Sequence, residues 1–212
     1  FDFTRAPLAI LAAAVVAFLF LVAILAPAVA PTNPFDPASL NLMNGFTPPM
    51  TPNMFTGQSF VMGADDQGRD LLSAIIYGLR VSLFVGVMSV LLAMGIGVSL
   101  GLVAGYVGGW LDNLIMRIAD IQLTFPSILI AMLIFGVLRG IIPPDLRDEM
   151  AIFVLIAAIG LSEWVPFART VRATALVEKE KEYVQAARLI GLRRGQIMWR
   201  HILPNVIGPV LV

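Results

Sequence analysis

Four long runs of apolar residues constrain this chain more than any other feature of its sequence. They cover residues 7–30, 81–107, 114–138 and 151–167, and polar or proline-rich stretches separate them. A helix rises about 1.5 Å per residue, so runs of this length can cross a hydrocarbon layer roughly 30 Å thick. Hydrophobic residues make up 58% of the chain and charged residues only 13%, which leaves little polar surface for a water-soluble domain. The sequence predicts an all-α fold, a polytopic membrane helical bundle with four full spans.

Composition excludes several kinds of chemistry. The chain has no cysteine and a single histidine, His201. Disulfides, thiolate metal sites and cysteine nucleophiles are therefore ruled out, and a histidine-rich metal centre or a Ser-His-Asp triad has no support. Equal numbers of acidic and basic residues give no argument for a nucleic-acid partner. We expect no enzyme activity, no bound cofactor and no metal ligand in this chain.

Three segments follow from the positions of the apolar runs. Residues 1–30 form an N-terminal transmembrane helix. A cleaved signal peptide is the alternative, but this run is too long for one, and Pro31 is unfavourable directly after a cleavage site. Residues 31–80 combine an external proline-rich loop with a short interfacial helix over 66–79. Residues 81–212 form the core of the bundle.

The two ends of the sequence lead us to expect a fragment. The sequence begins at Phe1 rather than at Met, and it stops inside an apolar run that starts at Ile202. We expect the chain to be part of a longer protein, with a fifth span that begins here and is truncated.

Small residues recur at steps of four in the second span. They are Gly97, Gly101, Gly105 and Gly109, and together they give one helix face that is almost bare backbone. In a membrane such a face favours the close approach of another helix. The partner helix is either part of the same chain or part of a second subunit.

The third span contains a proline and an expected ion pair. Pro126 lies within residues 114–138 and should kink the helix. Arg117 and Asp120 are three residues apart near its start, so they can pair and extend towards the interface.

Basic residues predict the orientation of the chain. If residues 169–200 are cytoplasmic, four spans place the N-terminus on the same side, and the cytoplasmic flanks hold ten of the fourteen Lys and Arg residues. These ten are Arg5, Arg117, Arg169, Arg172, Lys179, Lys181, Arg188, Arg193, Arg194 and Arg200. The external side keeps Arg69, Arg80, Arg139 and Arg147.

Residues 169–204 form the only strongly charged stretch. They predict a helix, a break at Gly191, a second helix, and Pro204 at the start of the next span. Gly191 can adopt a positive φ angle and reverse the chain. Ala186 and Ala187 leave a shallow face beside the turn. A protrusion of this kind can dock into a groove on a cytoplasmic partner.

This stretch resembles the EAA loop of ABC importer permeases. The family pattern is Glu-Ala-Ala, three residues, Gly, nine residues, then Ile-x-Leu-Pro; the two alanines, Gly191, Leu203 and Pro204 match at that spacing. Gln185 stands where the family has glutamate, and His201 where it has isoleucine. The resemblance assigns contact with an ATPase to Gln185, Ala186, Ala187, Arg188, Gly191, Leu192, Arg193, Leu203 and Pro204.

A second element resembles the dipeptide, oligopeptide and nickel branch of the same family. Residues 63–70 read Gly-Ala-Asp-Asp-Gln-Gly-Arg-Asp, which is similar to the Gly-Thr-Asp-x-x-Gly-Arg-Asp element of that branch, with Ala64 in place of threonine. Interpreted without the family, these residues are a turn and a cap at a helix start.

The resemblance implies a type I ABC importer transmembrane domain in the cell membrane of a prokaryote. Two permease subunits, commonly different, form the pathway; two cytoplasmic ATPases bind ATP and Mg²⁺; an external solute-binding protein delivers the cargo. The cargo implied is a peptide, with nickel or a haem-type compound as alternatives. The resemblance identifies no substrate-binding residue.

Other classes of membrane protein remain as alternatives. A secondary transporter or channel usually carries ionisable residues near the centre of the bilayer, whereas Asp120 and Glu163 lie near span ends. A membrane scaffold that only recruits a soluble partner would show the same docking loop.

Overall fold

The computed structural model describes residues 7–37 and 40–210 and contains ten α-helical segments over these ranges. Arg5, which belongs to the charge pattern above, lies outside the described residues. The helices are α1 Pro7–Ile24, α2 Ala26–Val29, α3 Leu71–Val107, α4 Gly109–Leu123, α5 Ser127–Ile141, α6 Arg147–Ser162, α7 Trp164–Glu178, α8 Glu182–Leu189, α9 Arg194–Gln196 and α10 Leu203–Val206.

The chain divides into two compact units, Phe1–Phe84 and Val85–Val212. In the first unit, short polar side chains hold the proline-rich loop. The Asn44 side chain is buried and donates to Gln58 Oε1 at 2.7 Å, and Asn53 Nδ2 donates to Thr47 Oγ1 at 2.8 Å. Backbone pairing of Met50 N with Phe60 O at 2.7 Å closes the loop. Polar bonds rather than an apolar core therefore order this segment.

The Gly-Ala-Asp-Asp-Gln-Gly-Arg-Asp element is a turn that ends in a helix cap. Asp65 Oδ1 accepts from the backbone N–H of Gln67 and of Arg69 at 2.9 and 2.8 Å. Asp70 Oδ2 accepts from Ser73 N at 3.0 Å, which is the bond of an N-cap residue. The turn thus fixes the residue at which α3 begins.

The structure differs from the expectation of a separate interfacial helix over 66–79. Residues 66–70 belong to the turn, and α3 is one continuous helix of 37 residues from Leu71 to Val107. The junction at Gly78-Leu79-Arg80 contains no proline, so no backbone donor is lost and the helix continues into the second apolar run.

Pro126 breaks the third apolar run instead of kinking it. Helices α4 and α5, of 15 residues each, meet at an angle of 98°, because proline lacks an N–H and restricts the residue before it. The polar stretch between the third and fourth apolar runs, residues 139–150, is also partly helical. α5 continues to Ile141, and α6 begins at Arg147 with Asp148 and Glu149 in its first turn.

Among the described residues, two helices are long and apolar enough to cross a membrane, Pro7–Ile24 and Leu71–Val107. The number rises to four if each bent pair is one span, namely Gly109–Leu123 with Ser127–Ile141 and Pro144–Ser162 with Trp164–Glu178. The second pair is bent by 41°. The all-α membrane fold is confirmed, and the four-span count depends on these two bends.

Candidate functional site

The glycines of α3 lie against the backbone of α7 in the second unit. A Cβ added at Gly97 would lie 2.5 Å from Trp164 O, and one at Gly101 would lie 2.9 Å from Ala168 Cα and closer still to its carbonyl oxygen. Real side-chain carbons do not approach backbone atoms so closely, so the two helices touch only because these side chains are missing. The contact is made within this chain.

The glycine series extends to Gly105 but not to Gly109. A Cβ at Gly105 would lie 2.8 Å from Arg172 O, whereas one at Gly109 meets nothing within 4 Å. α3 ends at Val107, and Gly109 has a φ of +63° at the start of α4. Its role in the structure is to reverse the chain, and it lies outside the α3–α7 contact.

Two ion pairs join α4 to α7. Arg172 pairs with Asp112 through Nε–Oδ1 at 2.5 Å and a second bond to Oδ2 at 2.7 Å, which is the two-bond geometry that guanidinium favours. Arg169 pairs with Asp120 at 2.5 Å. The expected Arg117–Asp120 pair is therefore replaced by a pair between different helices, which spacing along one helix does not reveal.

A third polar contact lies at the N-terminal end of α7. Trp164 Nε1 donates to Gln122 Oε1 at 2.8 Å, and Gln122 Nε2 donates to Ser162 O at 2.7 Å. Ser162 O is a helix-end carbonyl of α6, so Gln122 satisfies a group that the 41° bend leaves without a helical partner. α7 is thus held on two sides, by the glycines of α3 and by the polar side chains of α4.

The turn after α8 has the geometry that the sequence predicts for Gly191. Its φ angle is +81°, and Leu192 N donates to Ala187 O at 3.2 Å while Gly191 N donates to Arg188 O at 3.1 Å. This pair of bonds is the Schellman arrangement that ends a helix at a left-handed residue. Because a Cβ at Gly191 meets nothing within 4 Å, only the backbone conformation requires glycine here.

Hydrogen bonds around Glu178 connect α7, α8 and α10. Glu178 is only 7% exposed; it accepts from Lys181 Nζ at 2.5 Å and from Tyr183 OH at 2.7 Å. Asn205 Nδ2 donates to Tyr183 OH at 3.0 Å and to His201 O at 2.9 Å. Burial is the main cause that raises the pKa of the Tyr183 phenol, followed by its bond to Glu178, so the phenol stays protonated and donates at neutral pH.

Sequence reasoning missed this network. Tyr183 and Asn205 are 22 residues apart, and neither shows a spacing that indicates a contact. The one signal available was Glu178, the first of three acidic residues in a mostly basic segment, at the end of an apolar stretch.

The predicted ATPase-contact residues divide into an inward and an outward set. Ala187 is buried, and Leu192 and Leu203 pack against the same apolar cluster. The outward set is exposed and consists of Gln185, Ala186, Arg188, Gly191, Arg193 and Pro204. The inward residues can support the turn, and only the outward ones can touch another protein directly.

Two apolar side chains at the end of α8 belong to the outward surface as well. Leu189 is 88% exposed and Ile190 is 75% exposed, directly before Gly191. The pattern used in the sequence analysis did not single them out. We call Leu189 and Ile190 the apolar tip. In contrast, Arg188 turns away from this tip, with its guanidinium 5.6 Å from the Tyr106 ring centre beside a cavity of about 450 Å³.

A π-helical segment separates the turn from Pro204. It covers Ile197–Ile202, and wider turns of this kind accommodate an interrupted hydrogen-bond ladder and are frequent at functional sites. Pro204 cannot donate to the ladder, and the Asn205 side chain provides a bond to His201 O. The helical path nevertheless continues through the proline, as α10.

Over the described residues, no three Asp, Glu or His side chains converge as a metal site. What the structure presents is an all-α membrane domain in which two short helices flank the turn at Gly191, as expected for an ABC importer permease. The chain belongs to the family described as binding-protein-dependent transport system inner membrane component, whose model matches residues 97–212. This membership favours a permease over the secondary transporter or channel that composition left open.

Curated relatives extend the match beyond that segment. The chain is 37% identical to the dipeptide transport system permease protein of Alkalihalophilus pseudofirmus over 97% of its own length and 61% of the relative. It is 34% identical to the oligopeptide transport system permease protein of Bacillus subtilis, with the same two coverages. A dipeptide transport system permease protein of Haemophilus influenzae is 37% identical over 91% of this chain and 60% of its own length. The chain thus spans about three fifths of the length of these relatives.

Proposed function

We propose that the protein is a permease subunit of an ATP-driven peptide importer in the cell membrane of a prokaryote. It forms half of the translocation pathway, with its N-terminus on the cytoplasmic side, and hydrolyses no ATP itself. The observation that carries this proposal is the apolar tip, which a Schellman turn presents on a helix fixed to α7 through Glu178 and Tyr183.

The cargo proposed is a peptide. The relatives at 34–37% identity are named for dipeptide and oligopeptide transport, and another, 38% identical over 71% of this chain, is a glutathione transport system permease protein. All three names refer to short peptides. No described side chain supports nickel or a haem-type compound as the cargo.

Three kinds of partner complete the proposed complex. Cytoplasmic ATP-binding subunits, which hold ATP and Mg²⁺, bind the apolar tip and the outward residues around Gly191. A second, different permease subunit closes the pathway. An external solute-binding protein delivers the peptide, as the name of the family indicates.

A physical route connects docking at the tip to the spans. α8 and α7 are joined by the buried Glu178 and its bonds, so a force on the tip moves them together. α7 in turn touches α3 backbone to backbone at Gly97 and Gly101, with no flexible side chain between them. A rotation of α7 therefore moves α3 directly, since a tightly packed contact transmits displacement instead of absorbing it.

The apolar tip gives the most direct test. In the full-length protein, co-expressed with its partner subunits and purified in detergent, the double change Leu189→Ser and Ile190→Ser should abolish co-purification of the ATPase. Full burial of one apolar side chain of this size in an interface contributes about 1.5–3 kcal/mol to the binding free energy. Val177→Ser is the matched control, since Val177 is 64% exposed but lies outside the tip.

Co-purification of the ATPase with the tip variant and with the Val177 variant decides whether the tip is the contact. Loss of the ATPase from the tip variant, with its retention in the Val177 variant, supports docking at the tip. Equal co-purification in both variants, with the same ATP-dependent peptide uptake, would refute the proposed contact.

A further inference from the structure

A cavity of about 280 Å³ lies beside the start of α3, within the first unit. Its wall includes Asp70 together with oxygen-bearing side chains of Thr32, Gln58 and Ser59, and the ring of Phe60. It is remote in sequence from the segment assigned to ATPase docking. Under the proposed topology, this end of α3 is on the external side of the membrane.

Asp70 is buried in this wall with one oxygen unused. The residue is 3% exposed. Its Oδ2 accepts from Ser73 N at 3.0 Å and from Ser73 Oγ at 2.5 Å, whereas Oδ1 has no hydrogen-bond partner among the described residues. A buried carboxylate oxygen without a partner is costly, and native structures normally supply one. The helix cap explains Oδ2 but leaves Oδ1 unexplained.

The surrounding chain offers no cation for this oxygen. Residues 31–68 contain no Lys or Arg, and the next basic residue, Arg69, is paired with Asp65 at 3.1 Å. Asp66, four residues before Asp70 in the same turn, is exposed and adds negative charge. The natural partner of Asp70 Oδ1 therefore comes from outside this segment.

We propose that this cavity binds a primary ammonium group. Only one oxygen of Asp70 is available, so the two-bond pairing that a guanidinium prefers cannot form, whereas an ammonium needs single acceptors in several directions. The hydroxyls of Thr32 and Ser59 provide such acceptors, and the Phe60 ring provides a face that attracts cations. A divalent metal ion would need more carboxylate or carbonyl ligands than this wall supplies.

The ammonium group has two possible sources, the amino terminus of a small peptide or a lysine of an external protein. A simple amine tests for an ammonium site of either kind, and a small peptide tests for the amino terminus in particular. The probes are methylammonium, dialanine and N-acetyl-dialanine, added to the full-length protein in detergent, with binding followed by saturation-transfer NMR on the methyl signals of the probe. This measurement needs no ATPase and so does not depend on the proposed function.

The decisive variant is Asp70→Asn, with Asp66→Asn as its control. Asparagine caps a helix as well as aspartate does, so α3 should be retained, and circular dichroism checks this. We expect methylammonium and dialanine to bind the wild type and Asp66→Asn, and Asp70→Asn to weaken them by about tenfold or more, since bonds to a charged group are the strong ones. N-acetyl-dialanine, which has no ammonium, should not bind.

A second arm identifies a protein source. If methylammonium binds but dialanine does not, and capture of the solute-binding protein by the assembled transporter falls in Asp70→Asn and on acetylation of that protein's lysines, the ammonium comes from a lysine. This arm rests on the proposed function, and retained ATPase co-purification shows that the complex itself is intact. If neither the amines nor the binding protein distinguishes Asp70→Asn from Asp66→Asn, water fills the cavity and the proposal is wrong.

Discussion

Replacing Gly101 by alanine tests whether the α3–α7 contact sets the packing of this domain. The new Cβ would lie 2.9 Å from Ala168 Cα and nearer to its carbonyl oxygen, so the backbone of one helix must move. Such overpacking costs about 1–3 kcal/mol. Gly95→Ala is the control in the same helix, because its Cβ meets nothing within 4 Å, and alanine there should stabilise the helix by up to about 1 kcal/mol.

The measurement is the unfolding temperature of the full-length protein in one detergent. In a chain of about this size, 1 kcal/mol corresponds to roughly 2–4 °C. We therefore expect Gly101→Ala to unfold several degrees below the wild type and Gly95→Ala to unfold at or slightly above it. If Gly101→Ala were as stable as Gly95→Ala, the two helices would not be in backbone contact, and the proposed transmission from α7 to α3 would lose its basis.

Three further changes test other parts of the site. Gly191→Ala should lower the free energy of unfolding by about 1–2 kcal/mol through its positive φ alone and should reduce the number of peptides transported per ATP hydrolysed. Gly195→Ala, with open space around it and no positive φ, should change neither quantity. Equal transport per ATP in both variants would contradict the role of the turn. Tyr183→Phe leaves the buried Glu178 with one hydrogen bond fewer and should lower the free energy of unfolding by about 1–3 kcal/mol, which is measured as a lower unfolding temperature. An unchanged unfolding temperature would show that Tyr183 does not bind Glu178. Asp112→Asn should destabilise the protein more than Asp120→Asn, because the Asp112–Arg172 pair has two hydrogen bonds and is less exposed than the Asp120–Arg169 pair. A double-mutant cycle for each pair measures its coupling energy. A larger coupling energy for Asp120–Arg169 would contradict this ranking.

Local chemistry explains which features the sequence could predict. Turn formation at Gly191 follows from a glycine between two helical stretches, and its φ of +81° agrees. A turn and a cap within residues 63–70 were expected in the same way, and the structure places the cap at Asp70, four residues after the predicted start of the helix. Both depend on a few neighbouring residues, so a pattern along the chain is enough to find them.

Predictions that depended on the length and angle of elements were less successful. Of the interfacial helix expected over 66–79, only residues 71–79 are helical, as the start of α3, and the third run is two helices at 98° rather than one kinked span. Apolar character is common to a spanning helix and to its continuation, so hydropathy cannot place the ends of either. Similarly, Asp120 pairs with Arg169 and not with Arg117, since the competing partner is brought in by another helix.

By itself, the sequence determined that this protein is a helical membrane protein with a charged segment that turns at Gly191, because hydrophobicity, proline and glycine act on the backbone nearby. Only the tertiary structure decided that Gly97 and Gly101 face α7 of the same chain, that Glu178 is bound by Tyr183, and that one oxygen of Asp70 has no partner. These facts depend on which distant side chains share a volume from which water is excluded, and no periodicity along the chain encodes that choice.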